Sequence, residues 1–153
     1  MQLNNQSIAT QLICGSHSLV FAADLEIDGL RQLELAAQIP TTVLKVPHHG
    51  AKSSLDREWI ARVRPCYAVL SAGRYNSYGH PTPEVIAAYT SVGSTIKRTD
   101  RDGAVTVTGR LSSPDIRVQT VRDLVLHPVD PHQSIWDAER ANWHRLWQLT
   151  LDS

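Results

Sequence analysis

The stretch LKVPHHGAKSS, residues 44–54, sets two adjacent histidines just beyond a short apolar run. Thr41 to Val46 is rich in β-branched residues with Lys45 interrupting it, the pattern of a largely buried strand. Such a strand delivers His48 and His49 to its carboxyl end, where imidazoles can reach a metal or a phosphate. Two more polar clusters also follow apolar runs: AADLE, residues 22–26, and SAGRYNSYGHP, residues 71–81. In an open α/β arrangement, groups beyond the carboxyl ends of the strands share one crevice. Asp24, His48, His49, Asn76 and His80 are therefore the candidate site, and this set of groups suggests hydrolytic metal chemistry.

Outward from this stretch the chain alternates. Ser7 to Cys14 and Ser18 to Ala23 read as paired strands with Gly15 and Ser16 as turn residues, and His17 beside them as a solvated turn side chain. Leucines at 30, 33 and 35 predict a helix over Glu26 to Gln38, weakened by Gly29 and ended by Pro40. Ser53 or Ser54 is expected to cap a helix running to about Arg64, before Pro65 and a buried strand from Cys66 to Leu70. Thr82 followed by Pro83 predicts a helix to about Ser91, stopped by Gly93. Thr95 to Arg98 and Ala104 to Thr108 read as a hairpin turned by Asp102 and Gly103, and Ile116 to Val121 as a further edge strand. Trp136, Trp143, Leu146, Trp147 and Leu149 have the spacing of an amphipathic helix packed on the body.

Bulk properties set limits. The chain has 153 residues, 42% of them hydrophobic and 20% charged, with a formal net charge of zero. One globular domain fits that length, and no polyelectrolyte partner is signalled by that charge. Cys14 and Cys66 follow no metal-ligand spacing and read as buried small apolar residues. No apolar run approaches the roughly 18–20 residues that span a bilayer, so the chain reads as soluble.

A carboxylate such as Asp24 can bridge two divalent cations while neutral imidazoles complete each shell. Two such ions clamp a phosphodiester and lower the pKa of a bound water. The competing readings are ordinary ones: a helix N-cap for Asp24, polar loop residues for the histidines.

NNQS (residues 4–7), AADLE, LKVPHHGAKSS, SAGRYNSYGHP and KRTDRDGAV (residues 97–105) occur together in an order that resembles a known family. It is the ComEC/Rec2 family of competence proteins, DNA-uptake channels of bacterial transformation, and the likeness is to the carboxyl-terminal part of their metallo-β-lactamase-like domain. The resemblance covers residues 1–111 and leaves 112–153 as an edge strand and carboxyl-terminal amphipathic helix. It implies an α/β fold, the carboxyl-terminal half of an αβ/βα sandwich. It also implies an inner-membrane protein whose domain lies outside the cytoplasm and degrades the non-transported DNA strand with manganese or zinc. By the same resemblance Asp24 matches the metal-bridging aspartate and His49 the last metal-binding histidine. His48 then contacts a ligand or the scissile phosphate, or the two histidines exchange roles. Asn76 and His80 match a segment where a phosphate-facing or acid role is expected, while Ser71 and Lys52 are expected to serve as a loop hydrogen-bonding group and a solvated charge.

Three departures qualify this. The HxHxDH-type motif that carries the first ligands of the superfamily occurs nowhere in this sequence. His127 and His132, in LHPVDPHQS, read as a loop and do not replace it. Ala23 and Ala51 stand where the family commonly has Gly and Ser. The expectation is half of a nuclease site, completed by an amino-terminal half of the domain or a second copy of the chain. A non-catalytic binding module of the same fold, or another phosphodiesterase of that fold, are the alternatives.

Overall fold

In the computed structural model, which describes residues 3–35, 40–109 and 116–126, five strands form one sheet in chain order. They are β1 (Thr10–Cys14), β2 (His17–Phe21), β3 (Thr41–Lys45), β4 (Tyr67–Leu70) and β5 (Thr95–Arg98). The expected first pair is an antiparallel hairpin, with Leu12 opposite Leu19. From β2 onward all pairings are parallel, with Leu44 opposite Ala68 and Leu70 opposite Arg98. The fold is thus α/β with a mixed sheet, compatible with one half of a metallo-β-lactamase-like sandwich.

Parallel neighbours need crossovers, and crossovers of one hand place their helices on one face of the sheet. The crossing helices are α1 (Ile27–Gln32), α2 (Arg57–Val63) and α3 (Pro83–Ser91). Leu30 of α1, Trp59 and Ile60 of α2, and Val85, Ala88 and Tyr89 of α3 join Val20, Leu44, Val46, Ala68 and Leu70 in a single buried core. The strand residues of opposite parity point away from that core. Leu12 and Phe21 there are 53% and 46% exposed, and Leu19, Tyr67 and Val69 are half-buried.

Local details depart from the sequence reading. α1 ends at Gln32, because Leu33 turns extended; Leu33 and Leu35 still pack on the core from that extended segment, and residues 36–39 lie outside the described ones. Gly29 is no mere weakness of the helix. A Cβ there would stand 2.7 Å from Asn5 Oδ1, the atom that accepts the Glu26 and Gly29 amides at 2.9 and 3.3 Å. α2 is capped by Asp56, which accepts the Glu58 and Trp59 amides at 3.0 Å each. The Ser54 hydroxyl instead donates to the Pro47 and Ala51 carbonyls. Thr82 and Pro83 do open α3, without a side-chain cap bond from the threonine.

The expected hairpin of Thr95 to Arg98 with Ala104 to Thr108 does not form. β5 pairs in parallel with β4, and a short helix α4 (Thr99–Asp102) follows it. β6 (Val105–Gly109) pairs with β7 (Ile116–Thr120) in a separate two-stranded sheet. Asp102 explains the change: its carboxylate accepts the Arg98 amide at 3.3 Å and binds Arg101, so Asp102 closes a helical turn. A final helix α5 (Val121–Leu126) follows β7. Cys14 is half-buried and Cys66 exposed, against the expectation of buried residues. His17 begins β2 with Nδ1 3.2 Å from Thr42 Oγ1 and Nε2 buried, so it is a strand residue and no solvated turn side chain. His127, His132 and the tryptophan-bearing tail lie outside the described residues.

Candidate functional site

Three parallel strands end on the same side, and each is followed by one polar cluster. β2 leads through Ala22 to Asp24. β3 leads through Val46 into a 3-10 turn at Pro47–Gly50 that carries His48 and His49. β4 leads into the segment from Ser71 to His80. The backbone at the first two tips is unusual, with φ of 47° at Ala23, 45° at His48 and 56° at His49. Three non-glycine residues in the left-handed region within one crevice store about 1–3 kcal/mol of strain each, of the kind that clusters at functional sites. The tips brace one another: the His48 amide donates to the Ala23 carbonyl at 2.9 Å, and the Thr82 amide to the Gly50 carbonyl at 3.0 Å. Gly50 has φ of 83°, and a Cβ there would stand 2.7 Å from Pro81 Cβ, so no side chain fits between the two loops.

His49 is held in one tautomer. Its Nδ1 lies 2.6 Å from the Ser71 carbonyl, an acceptor only, so Nδ1 carries the proton. In the neutral ring Nε2 then keeps its lone pair, and it stands 3.6 Å from Asp24 Oδ1. A backbone carbonyl on the far nitrogen is the usual orienting partner of a metal-ligating histidine. Two donors bound to one zinc at about 2.1 Å in tetrahedral geometry lie roughly 3.4 Å apart, so the Asp24 and His49 spacing suits a shared cation. Among the described residues no group of three or more His, Cys, Asp or Glu converges to hold a metal. The donor set therefore fits a divalent ion as two ligands of an incomplete shell.

Around this pair stand groups that the sequence reading gave no role in the site. Lys45 Nζ donates to the Ala23 carbonyl at 3.2 Å and lies 3.8 Å from Asp24 Oδ1. Burial draws the Lys45 pKa down, with Asp24 pulling the other way. Glu26, 9% exposed, places Oε1 3.5 Å from His48 Nδ1 and accepts from Asn4 at 3.2 Å. NNQS thus acquires a function: Asn4 holds the Glu26 side chain and Asn5 its backbone. The only sequence signal for this was the joint presence of NNQS and AADLE. Ser53 Oγ lies 3.2 Å from the same His48 nitrogen.

The third tip is a clamped loop. Asn76 Nδ2 donates to the Gly73 carbonyl at 2.8 Å and to the His80 carbonyl at 2.7 Å. Its Oδ1 accepts the His80 amide at 2.9 Å. Both amide hydrogens are spent inside the loop. Thr99 Oγ1 accepts the Ala72 amide and donates to the Ala72 carbonyl, each at 2.9 Å, fixing where the loop leaves β4. The His80 ring stands 6.0 Å from that of His48, which is 6.5 Å from that of His49. Burial first, and then the neighbouring His48 and His49, hold the His80 pKa below its ordinary value, which favours the neutral ring. The Ser71 contribution is its carbonyl, and Lys52 is an exposed charge 3.5 Å from Glu84. Asp24, His48, His49, Asn76 and His80 are thus brought together at one end of the sheet.

Comparison with known proteins matches this segment to parts of larger ones. The chain is 34% identical over 103 residues to "ComE operon protein 3" of Bacillus subtilis, covering 67% of this chain and 13% of that protein. It is 32% identical over 104 residues to "Competence protein ComA" of Neisseria gonorrhoeae, 67% of this chain and 15% of that protein. With "Recombination protein 2" of Haemophilus influenzae it shares 29% identity over 104 residues, 68% of this chain and 13% of that protein. No family model and no solved structure matches. Among the described residues no helix is long and apolar enough to cross a membrane.

Proposed function

We propose, given that this chain belongs to the ComEC family of competence proteins, that its crevice is half of a metal-dependent site hydrolysing DNA phosphodiesters. The observation that carries the reading is the fixed His49 tautomer, with Nε2 turned to Asp24 Oδ1 at 3.6 Å. Asp24 and His49 would hold manganese or zinc, which supplies positive charge to a phosphate and lowers the pKa of water. His48, set between Glu26 and His80, would face the scissile phosphate. His80, whose neutral form is favoured by burial and by its histidine neighbours, is suited to accept a proton there and, once protonated, to give it to a leaving group. Asn76 is a positioning residue, since its amide holds the His80 backbone at both ends.

The remaining metal ligands would come from an amino-terminal half of the domain or from a second copy of the chain. Either would cover the sheet face that bears Leu12, Leu19 and Phe21, where apolar side chains stand exposed or half-buried. In the full-length family protein the domain would sit outside the cytoplasm, beside the inner membrane. A second reading, a DNA-binding module without catalysis, is favoured by the lack of a third convergent ligand among the described residues.

Elemental analysis for manganese and zinc separates the two, comparing the chain with a Asp24→Ala, His49→Ala double variant. About one ion per chain, lost in the variant, together with metal-dependent cleavage of DNA once the other half is supplied, is the expected outcome. No bound metal, and no cleavage with the other half present, would leave the binding module.

A further inference from the structure

The loop that carries Asn76 and His80 also carries two tyrosines that the crevice does not use. Tyr75 is 92% exposed and Tyr78 81% exposed, although an aromatic ring gains most from being buried. Neither is loose. Asn76, between them, ties the loop to Gly73 and His80 by three hydrogen bonds of 2.7–2.9 Å, and Thr99 anchors its start. The fixed loop therefore presents both rings to solvent. Arg74 adds a cation 6.0 Å from the centre of the Tyr75 ring, without a carboxylate partner among the described residues. The Tyr78 ring lies nearly parallel to that of His80, 18° between planes and 5.9 Å between centroids. From His80 the rings continue to His48 and His49. A file of planar groups thus runs from solvent into the crevice.

We infer that Arg74, Tyr75 and Tyr78 form a stacking platform for unpaired nucleobases, which leads single-stranded DNA into the crevice; this rests on the reading of that crevice as a DNA site. An exposed ring can receive the face of a base only where the base is free of its partner strand or at a duplex end, so the platform selects unpaired over paired DNA. Stacking does not distinguish one base from another, because every base has a π-face. A base laid on the outer face of Tyr78 extends the Tyr78 and His80 stack outward, so that the strand carrying it runs on from there toward His80 and His48. The net charge of zero fits a platform that binds through rings with one arginine instead of through many phosphates.

The test is fluorescence anisotropy with the full chain in EDTA, so that hydrolysis and metal binding play no part and their failure would leave this result standing. The probes are a labelled oligothymidylate about 12 nucleotides long, an abasic strand of equal length and phosphate number, and a duplex. Oligothymidylate is expected to bind at least about 10-fold tighter than either of the others. Tyr75→Ala and Tyr78→Ala should each weaken that binding roughly 5- to 150-fold, leaving the abasic strand unchanged, while Tyr78→Phe retains it. Raising salt should weaken binding with a slope near −0.7, about one phosphate neutralised by Arg74. Equal affinity for abasic and oligothymidylate strands, or alanine variants that bind as the parent does, would overturn the platform. So would a failure to bind any strand. Both rings being exposed, unchanged circular dichroism will confirm that the variants remain folded.

Discussion

His49 turns Nε2 toward Asp24 Oδ1 at 3.6 Å while its Nδ1 proton is fixed on the Ser71 carbonyl at 2.6 Å. Neutral imidazole in water favours the other tautomer, so this arrangement has a spectroscopic consequence. In nitrogen-detected spectra of the histidine rings, the neutral form of His49 is expected to be the Nδ1–H tautomer, identified by loss of its signals in His49→Gln. Added zinc should then shift Nε2 and leave the Nδ1 proton in place. An Nε2–H tautomer, or zinc shifting Nδ1, would contradict the geometry.

Backbone strain at the strand tips makes opposite predictions for two small residues. Ala23 has φ of 47°, where a Cβ costs about 1–2 kcal/mol and glycine costs little. Ala23→Gly should therefore raise stability by about 1 kcal/mol after glycine's extra entropy in the unfolded chain is allowed for. Gly50→Ala should lower it by about 1–3 kcal/mol, because φ is 83° and the new Cβ would meet Pro81 at 2.7 Å. Urea midpoints of the two variants and the parent, taken together, check both signs.

Acid should loosen two particular joints. Burial alone would raise the Asp56 pKa, but the Trp59 amide, Arg31 and the Glu58 amide outweigh it and hold the carboxyl below its usual range. Asp123 is brought to about 2 by Lys97 at 2.8 Å and by the Thr120 amide and hydroxyl. Both folded values lie below the unfolded value of about 3.9. The stabilisation is thus fully present above pH of about 4–5 and is lost as pH falls through the folded values, because the unfolded state takes up protons first. Urea midpoints measured from neutral pH downward should fall below about pH 4, and Asp56→Asn with Asp123→Asn should flatten that fall. Asp56→Ala should also cost about 1 kcal/mol at neutral pH through the lost cap.

The strands of the crevice were legible because each is a local event: an apolar β-branched run followed by polar residues. Thr41 to Val46 followed by HHG needs no distant partner to be read. Pairing is another matter. Thr95 to Arg98 and Ala104 to Thr108 carry hairpin signals, yet Ile96 finds Ala68 and Lys97 finds Val69 across a whole crossover, which alternation alone cannot reveal. Caps show the same limit at short range. Ser53, Ser54 and Asp56 all suit the start of α2, and the choice fell to Asp56 because Arg31 reaches its second oxygen at 2.7 Å. In the site, Glu26, Lys45 and Thr99 were missed because each acts through a contact more than twenty residues away in sequence. Lys45 looked like a flaw in a strand, and only the folded chain sets it beside Asp24.

The sheet face opposite the helices supplies the last prediction. Leu12 and Phe21 sit on it at 53% and 46% exposure, on the edge hairpin, beside Leu19. Lys97 also lies on this face, level with Val69, and pairs with Asp123 of α5 at the far edge. The hairpin end stays open among the described residues, and apolar area in water drives association at about 25 cal/mol per Å² buried. Expressed as residues 1–153 alone, the chain should self-associate as its concentration rises. The double variant Leu12→Lys, Phe21→Lys should remain monomeric in sedimentation, with stability changed by no more than about 0.5 kcal/mol because both side chains are surface groups. A parent that is monomeric at all concentrations would mean that this face is covered from within the chain. A variant that unfolds would mean that the two side chains belong to the core.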